Sequence, residues 1–331
     1  MKVLLTGATG FIGRYLLAAL LQAGHDVVPA VRRPAETDRL LPRPASIQAD
    51  FNRMTEPEDW AQHLAGIDAV INCAGILQGR PGQSIEAIHA RAPIALFRAC
   101  EAAGIRRVIQ ISAISAEPGV GTGYAATKHA ADVYLAGTGL DWVILRPSLV
   151  YAQDAYGGTA LFRAIAALPF ATPVPGDGRQ QFQPIHMDDL TGAVVRILAD
   201  PTIRHITIDP VGPEPVTLRR LFADLRQWLG YRPVPAIPIP MSLMQIAARI
   251  GDVLGGSLNT TAIRQVEFGN TGPVEPFVAA TGIRPRGWKE GLNQQPARSQ
   301  DRRQARLYFV RPLAYVAVVL LVLAAAIWGN R

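Results

Sequence analysis

The chain has 331 residues, 49% hydrophobic and 18% charged, long enough to bury a full core and too apolar for a disordered protein. Its net charge of +7 is not laid out as a basic stripe interleaved with aromatic residues, so no nucleic-acid-binding surface is expected. Two cysteines, Cys73 and Cys100, are too few for a disulfide scaffold, and the histidines are scattered, so neither a disulfide framework nor a metal site is expected.

An apolar run from Val3 to Leu5 leads through Thr6, Gly7, Ala8, Thr9 and Gly10 into Phe11, Ile12 and Gly13. Strand, glycine-spaced turn and helix in that order predict a dinucleotide site. Gly7 permits the tight turn, Gly10 lets backbone approach a pyrophosphate, and Gly13 lets the helix pack on the strand with its N-terminus toward the anion. The spacing is G-x-x-G-x-x-G after a threonine, which narrows the branch of nucleotide-binding folds. The run before it is too short for the core of a secretory signal.

A helix is predicted from Ile12 to Ala23, ended by Gly24, and then a strand from Asp26 to Val31. After that strand an NAD-specific chain carries an acidic residue, whereas this one carries Arg32 and Arg33. Guanidinium groups suit a 2′-phosphate, so the expected cofactor is NADP, with NAD as second choice. Asp50, after a short strand at 46–49, is a candidate for holding the adenine amino group; the alternative is a turn or cap aspartate. Apolar runs at 69–72, 108–111 and 142–145 alternate with helical stretches at 84–103 and 124–136. That alternation predicts an α/β fold with a Rossmann-type, doubly wound parallel sheet.

Tyr124 and Lys128 fall four apart in a helical stretch and so share a face. An ammonium beside a phenol favours the phenolate and suits acid–base work beside a hydride carrier. Beyond Pro147 the pattern breaks into small pieces with proline-rich segments, which predicts a smaller lobe. The expected organisation is an NAD(P)-binding domain over 1–150 with later segments returning to it, a substrate lobe over 151–292 and a basic linker over 293–306. In the lobe and its border, Phe162, Phe170, Phe182, Trp142 and Tyr151 are candidates for an apolar cleft, with core packing as the alternative.

Leu313 to Trp328 holds no charge, and the segment 307–329 is expected to be a single membrane helix, the alternative being a buried terminal helix. Arginines at 298, 302, 303, 306 and 311 precede the apolar stretch, so the expectation is an inner (cytoplasmic) membrane protein of one pass, its globular part cytoplasmic.

The chain resembles the extended and atypical short-chain dehydrogenase/reductases, which include sugar-nucleotide epimerases, dehydratases and the NDUFA9-like proteins associated with respiratory complex I. The resemblance covers roughly residues 1–290 and rests on Thr6 to Gly13, Asn72-Cys73-Ala74-Gly75, Tyr124-x-x-x-Lys128, Leu145-Arg146-Pro147-Ser148 and Pro184 to Leu190. It implies NAD(P) binding at the glycine turn and at the Asn72, Ala74 and Gly75 turn. It also implies Tyr124 as acid/base, Lys128 on the nicotinamide ribose and Pro147 near the carboxamide. The family's third catalytic group is a Ser or Thr after the fifth strand. Ala113 stands in its usual place, and Ser112 or Ser115 would substitute with a small shift of the loop. His186, Asp188 and Asp189 are expected to be structural, an aspartate capping the helix that runs to Leu198.

Two readings of function follow. One is a membrane-tethered NAD(P)(H)-dependent oxidoreductase or epimerase acting on a small molecule, either lipid-soluble or a sugar nucleotide. The other is an NADPH-binding, non-catalytic subunit or assembly factor of a membrane complex, which the missing hydroxyl at Ala113 supports. A redox sensor of the NADPH to NADP ratio is a weaker third.

Overall fold

The computed structural model describes residues 1–33, 44–254 and 258–309. Its first elements are β1 (Lys2–Thr6), α1 (Phe11–Gln22), β2 (Asp26–Val31), β3 (Ile47–Gln48), α2 (Pro57–Ala61) and β4 (Ala69–Asn72). A π-helical turn (Ala87–Arg91) then runs into α3 (Ala92–Ala103), followed by β5 (Arg107–Ile111), α4 (Gly123–Ala136) and β6 (Asp141–Leu145). Next come β7 (Val150–Tyr151), α5 (Gly158–Ala166), β8 (Thr172–Pro175), β9 (Gln181–Phe182), β10 (Ile185–His186), α6 (Met187–Ala199) and β11 (Ile206–Ile208). The remaining elements are β12 (Val216–Thr217), α7 (Leu218–Trp228), β13 (Ala236–Ile239), α8 (Met241–Leu254), α9 (Thr260–Phe268), α10 (Glu275–Thr281), α11 (Trp288–Gln294) and α12 (Ser299–Leu307).

The chain divides into two compact units, the first made of Met1–Ala152, Gln180–Pro215 and Thr260–Trp288. It holds a seven-stranded sheet in the order β3-β2-β1-β4-β5-β6-β11, parallel at every pairing. After β1 the chain moves outward to β2 and β3, then returns to β4 on the other side of β1. That reversal opens a crevice at the carboxyl ends of β1 and β4, where ligands bind in such sheets. Both faces are covered, which is why the strands read as near-continuous apolar runs. Val3, Leu5, Ile71, Ile109 and Val143 pack with Leu16 and Leu20 of α1 and with Leu190, Val194 and Ile197 of α6. The alternate residues Leu4, Val70, Val108 and Ile144 pack with Leu96 and Phe97 of α3 and with Ala131 and Leu135 of α4.

Two predicted elements differ in detail. The helix expected over 84–103 starts as a π turn, with the Ala92 amide bonded back to the Ala87 carbonyl. Pro93 has no N–H to offer the His89 carbonyl four residues earlier, so the regular ladder fails there. At the start of α6 the cap is His186, whose ring accepts from the Asp188 amide. Asp189 is instead held by Arg286, whose Nη2 lies 2.8 Å from its Oδ1.

The second unit comprises Gln153–Arg179, Val216–Asn259 and the residues from Lys289 on. Its small core is pinned by buried guanidinium groups. Arg226 donates to the carbonyls of Ala166 (2.8 Å) and Leu168 (2.6 Å), and Arg163 donates to that of Gln153 (2.9 Å) and stacks 4.4 Å from the Trp228 ring. The stretch read as a linker carries α12, whose Ala305 is buried with Ala167 and Leu229.

The expected membrane-spanning helix, and the single-pass inner-membrane placement built on it, are corrected. Among the described residues no helix is long and apolar enough to cross a membrane. Among the described residues the longest α-helices, α4 and α8, have 14 residues, and at ~1.5 Å per residue such a helix falls short of a ~30 Å hydrocarbon core. α12 is arginine-rich and stops at Leu307. The apolar stretch 313–328 lies outside the described residues.

Candidate active site

Three polar side chains lie at the carboxyl ends of the central strands, Gln110 one residue before the end of β5. Thr6, Asn72 and Gln110 are register partners across β1, β4 and β5, and each is 1% exposed or less. Thr6 Oγ1 donates to Asn72 Oδ1 (2.5 Å), and Asn72 Nδ2 donates to Gln110 Oε1 (2.7 Å). The Cys73 amide donates to Thr6 Oγ1 (3.1 Å), which fixes the turn after β4 against the glycine turn after β1. Buried polar groups so satisfied lock one arrangement of the crevice floor.

The glycines follow from that closeness. Gly7 has φ +65°, and a Cβ on it would sit 2.6 Å from the Cys73 carbonyl oxygen. A Cβ on Gly13 would overlap the Gly7 carbonyl. Gly10 is the N-cap of α1 and brings no side-chain cap, so the positive end of the helix dipole faces the crevice undressed by a side chain. This cradle fits a dinucleotide pyrophosphate. Thr9 is exposed in the turn, and Phe11 and Ile12 begin α1 half-buried. Arg32 and Arg33 follow β2, half-buried and exposed respectively. Asp50 makes a turn contact: its Oδ1 accepts from the Asn52 amide (3.1 Å) and Nδ2 (3.0 Å).

α4 brings Tyr124 and Lys128, the expected acid–base pair, to the same crevice. It is capped by Thr122, which accepts from the Ala125 amide, and it presents Tyr124, Thr127, Lys128 and Asp132 on adjacent turns. Lys128 Nζ donates to the Ile111 carbonyl (3.1 Å) and lies 5.9 Å from the Tyr124 ring centroid. A Cβ on Gly75 would lie 3.6 Å from that Nζ. The Ala74 amide meets Asn72 Oδ1 at 3.4 Å, and the Pro147 carbonyl accepts from the Ile114 amide at 3.1 Å. Burial, and then the Asp132 charge, push the Tyr124 phenol above its usual range. Burial draws the Lys128 ammonium down, against Asp132 and Cys73. Burial also pushes the Cys73 thiol up to about 12, against the pull of Lys128; the thiol stays protonated and unreactive.

The two serines differ. Ser112 Oγ donates to Asp132 Oδ2 (2.6 Å), and Arg146 grips the same oxygen (3.2 Å) while its Nη1 reaches Glu117 (2.7 Å). With its proton given to Asp132, Ser112 can only accept from a ligand. Ser115 Oγ accepts from Gln265 Nε2 (3.4 Å) and keeps its own proton.

His89, Gln110 and Asp132 were not singled out from the sequence. His89 Nε2 accepts from the Ile76 amide (3.0 Å), so the ring proton sits on Nδ1, which meets Thr127 Oγ1 at 3.2 Å. Thr127 Oγ1 in turn donates to the Gly123 carbonyl (2.6 Å). The imidazole stands edge-on to Tyr124, centroids 5.2 Å apart, and burial, then the nearby Lys128 charge, hold its pKa well below the usual value. One neutral ring thus ties the turn after β4 and the π turn to the Tyr124 helix. The available signal was Pro93, which marks an irregular helix start where functional residues often sit.

Of the proposed cleft aromatics, Phe182, Trp142 and Tyr151 are buried, Phe162 packs edge-on against Phe222 at 5.3 Å, and Phe170 is exposed.

The profile of the NAD(P)H-binding family matches residues 7–201. A ceramide reductase of Caulobacter vibrioides is 24% identical over 263 residues, 79% of this chain and 80% of that one. NADH dehydrogenase (ubiquinone) 1 alpha subcomplex subunit 9 of Arabidopsis thaliana mitochondria is 25% identical over 256 residues, and the match spans 73% of this chain and 62% of that relative's length. Among solved structures, UDP-glucuronic acid 4-epimerase of Bacillus cereus, in complex with UDP-glucuronic acid and NAD, superposes with a TM-score of 0.67 at 20% identity. That superposition covers 92% of this chain and 99% of the epimerase, and it establishes the fold. With the family profile spanning the glycine cradle, β4 and the Tyr124–Lys128 helix, the chain belongs to the NAD(P)H-binding family.

Proposed function

We propose that this protein is an NADP(H)-preferring oxidoreductase that reduces a carbonyl of a small-molecule substrate, with Tyr124 as the proton donor. The observation that carries the reading is the state of Tyr124: burial and the Asp132 charge keep its phenol protonated beside Lys128, at the mouth of a cradle shaped for a dinucleotide. Bound nicotinamide supplies the hydride in such chemistry. The protein's residues do the rest. Gly7, Gly10 and Gly13 leave room for the pyrophosphate and aim the α1 dipole at it. Lys128 orients the ribose and holds positive charge beside Tyr124, whose hydroxyl hands its proton to the carbonyl oxygen as negative charge develops there. Ser115, with its proton unspent, is the hydroxyl suited to orient that oxygen. Arg32 is the residue that favours NADP, by pairing with the 2′-phosphate.

A second reading, a nucleotide-binding subunit without turnover, draws support from Ala113 and from Ser112, whose proton is committed to Asp132. Similarity to a complex I subunit is in keeping with it. Mass analysis of the dinucleotide retained by the purified full chain, followed by its exchange rate, separates the two. NADPH that exchanges within seconds and is oxidised to NADP+ on adding ketones supports the reductase. NADP(H) that neither exchanges nor reacts supports the subunit, and retained NAD(H) contradicts the NADP preference.

A further inference from the structure

The second unit presents a surface that the dinucleotide cradle does not use. On α8 the side chains of Leu243, Ile246, Ile250 and Val253 are 55%, 53%, 56% and 86% exposed. At ~3.6 residues per turn these four fall within about 80° of arc, and the fully buried Ala248 falls about 180° from their centre. The helix therefore packs through its Ala248 side and turns an apolar stripe, about 15 Å long, to solvent. Single exposed aliphatic residues are ordinary, whereas four on one face mark a contact surface. Ile237, on the strand that leads into α8, is also exposed.

Charge narrows the occupant. The described residues of the second unit hold 12 Lys and Arg against 6 Asp and Glu, and those of the first unit 17 against 18. All of the excess positive charge thus belongs to the unit that bears the stripe. Arg249 borders the stripe, and Arg298, Arg302, Arg303 and Arg306 are exposed on and before α12. A second copy seated on the stripe would set one cationic unit against another, and a neutral apolar partner would leave Arg249 and the unit's net positive charge unanswered. A surface that is anionic outside and apolar beneath answers both.

We propose that α8 is an interfacial helix that lays Leu243, Ile246, Ile250 and Val253 into the headgroup layer of an anionic lipid surface. The contact runs along that surface and requires no crossing of it. It stands independently of the oxidoreductase reading.

The test is co-sedimentation of the full chain with vesicles of phosphatidylcholine alone or of phosphatidylcholine with phosphatidylglycerol. The expected result is binding to the anionic vesicles that weakens as salt rises. The double variant Ile246→Asp/Ile250→Asp should bind them about tenfold more weakly or worse, while its melting temperature and NADPH affinity match the parent's, because both side chains are exposed. Arg249→Glu should weaken binding to anionic vesicles and leave neutral ones unchanged. The proposal is overturned if the double variant sediments as the parent does, which would assign the binding to another segment. It is equally overturned if neutral and anionic vesicles bind alike, if the parent binds neither, or if the parent is a dimer that the double variant dissociates.

Discussion

At the scale of single residues, the chemistry turns on where protons are held. Tyr124 is kept as a phenol by burial and by Asp132, which suits it to donate. Reduction should therefore stay level from neutral into mildly alkaline pH, without the fall that a tyrosine near ~10 would bring at its approach. A profile of kcat/KM against pH, taken with NADPH saturating, checks this; a decline centred well below ~10 would assign the proton to another group. Arg32→Ala should weaken NADPH more than NADH by about 1–3 kcal/mol, read from paired binding titrations, and equal losses would remove Arg32 from phosphate recognition. Tyr124 and Lys128 were legible in the sequence because their spacing is a local property of one helix. The commitment of Ser112 was not, because its partner Asp132 lies 20 residues away on another element. The contact of Asp50 with Asn52, two residues on, is local in the same way, and it is the turn alternative that the sequence offered beside the adenine reading.

At the scale of elements, the first six strands and the glycine turn were legible almost to their ends, because both rest on patterns within a few residues, whereas β11 and the short strands of the later chain were not read. β2 and β4 fall where the apolar runs placed them, at Asp26–Val31 and Ala69–Asn72. The π turn before α3 was not read, although Pro93 supplies its physical cause. That turn places His89, whose ring is buried and neutral. A base with its pKa lowered in the folded state binds its proton more readily when the chain unfolds. Its contribution to stability is therefore whole above the unfolded value of ~6.5 and is lost as pH falls through it, by up to about 1.4 kcal/mol per pH unit. His89→Gln should flatten the slope of unfolding free energy between about pH 6.5 and 5, measured by urea titration across that interval. An unchanged slope would mean that other groups carry it.

At the scale of the whole molecule, a reversal of strand order puts the carboxyl ends of β1 and β4 side by side, and the glycine cradle and the Tyr124–Lys128 pair converge there from positions as far apart as Gly7 and Lys128. This much of the architecture could be read, since alternating strands and helices admit few topologies. A smaller lobe was expected beyond Pro147, but what holds it together was not legible, because Arg163 and Arg226 look like surface residues in a sequence and are in fact buried beneath carbonyl oxygens. The membrane-spanning helix was inferred from hydropathy alone, and no helix among the described residues meets that requirement.

The most direct test of the central claim compares turnover of bound NADPH by the parent and by Tyr124→Phe, at equal cofactor occupancy and with the ketones that the parent reduces. A rate lower by about 10²–10⁴-fold with unaltered NADPH affinity is the predicted result. Turnover undiminished by the loss of the hydroxyl would contradict it.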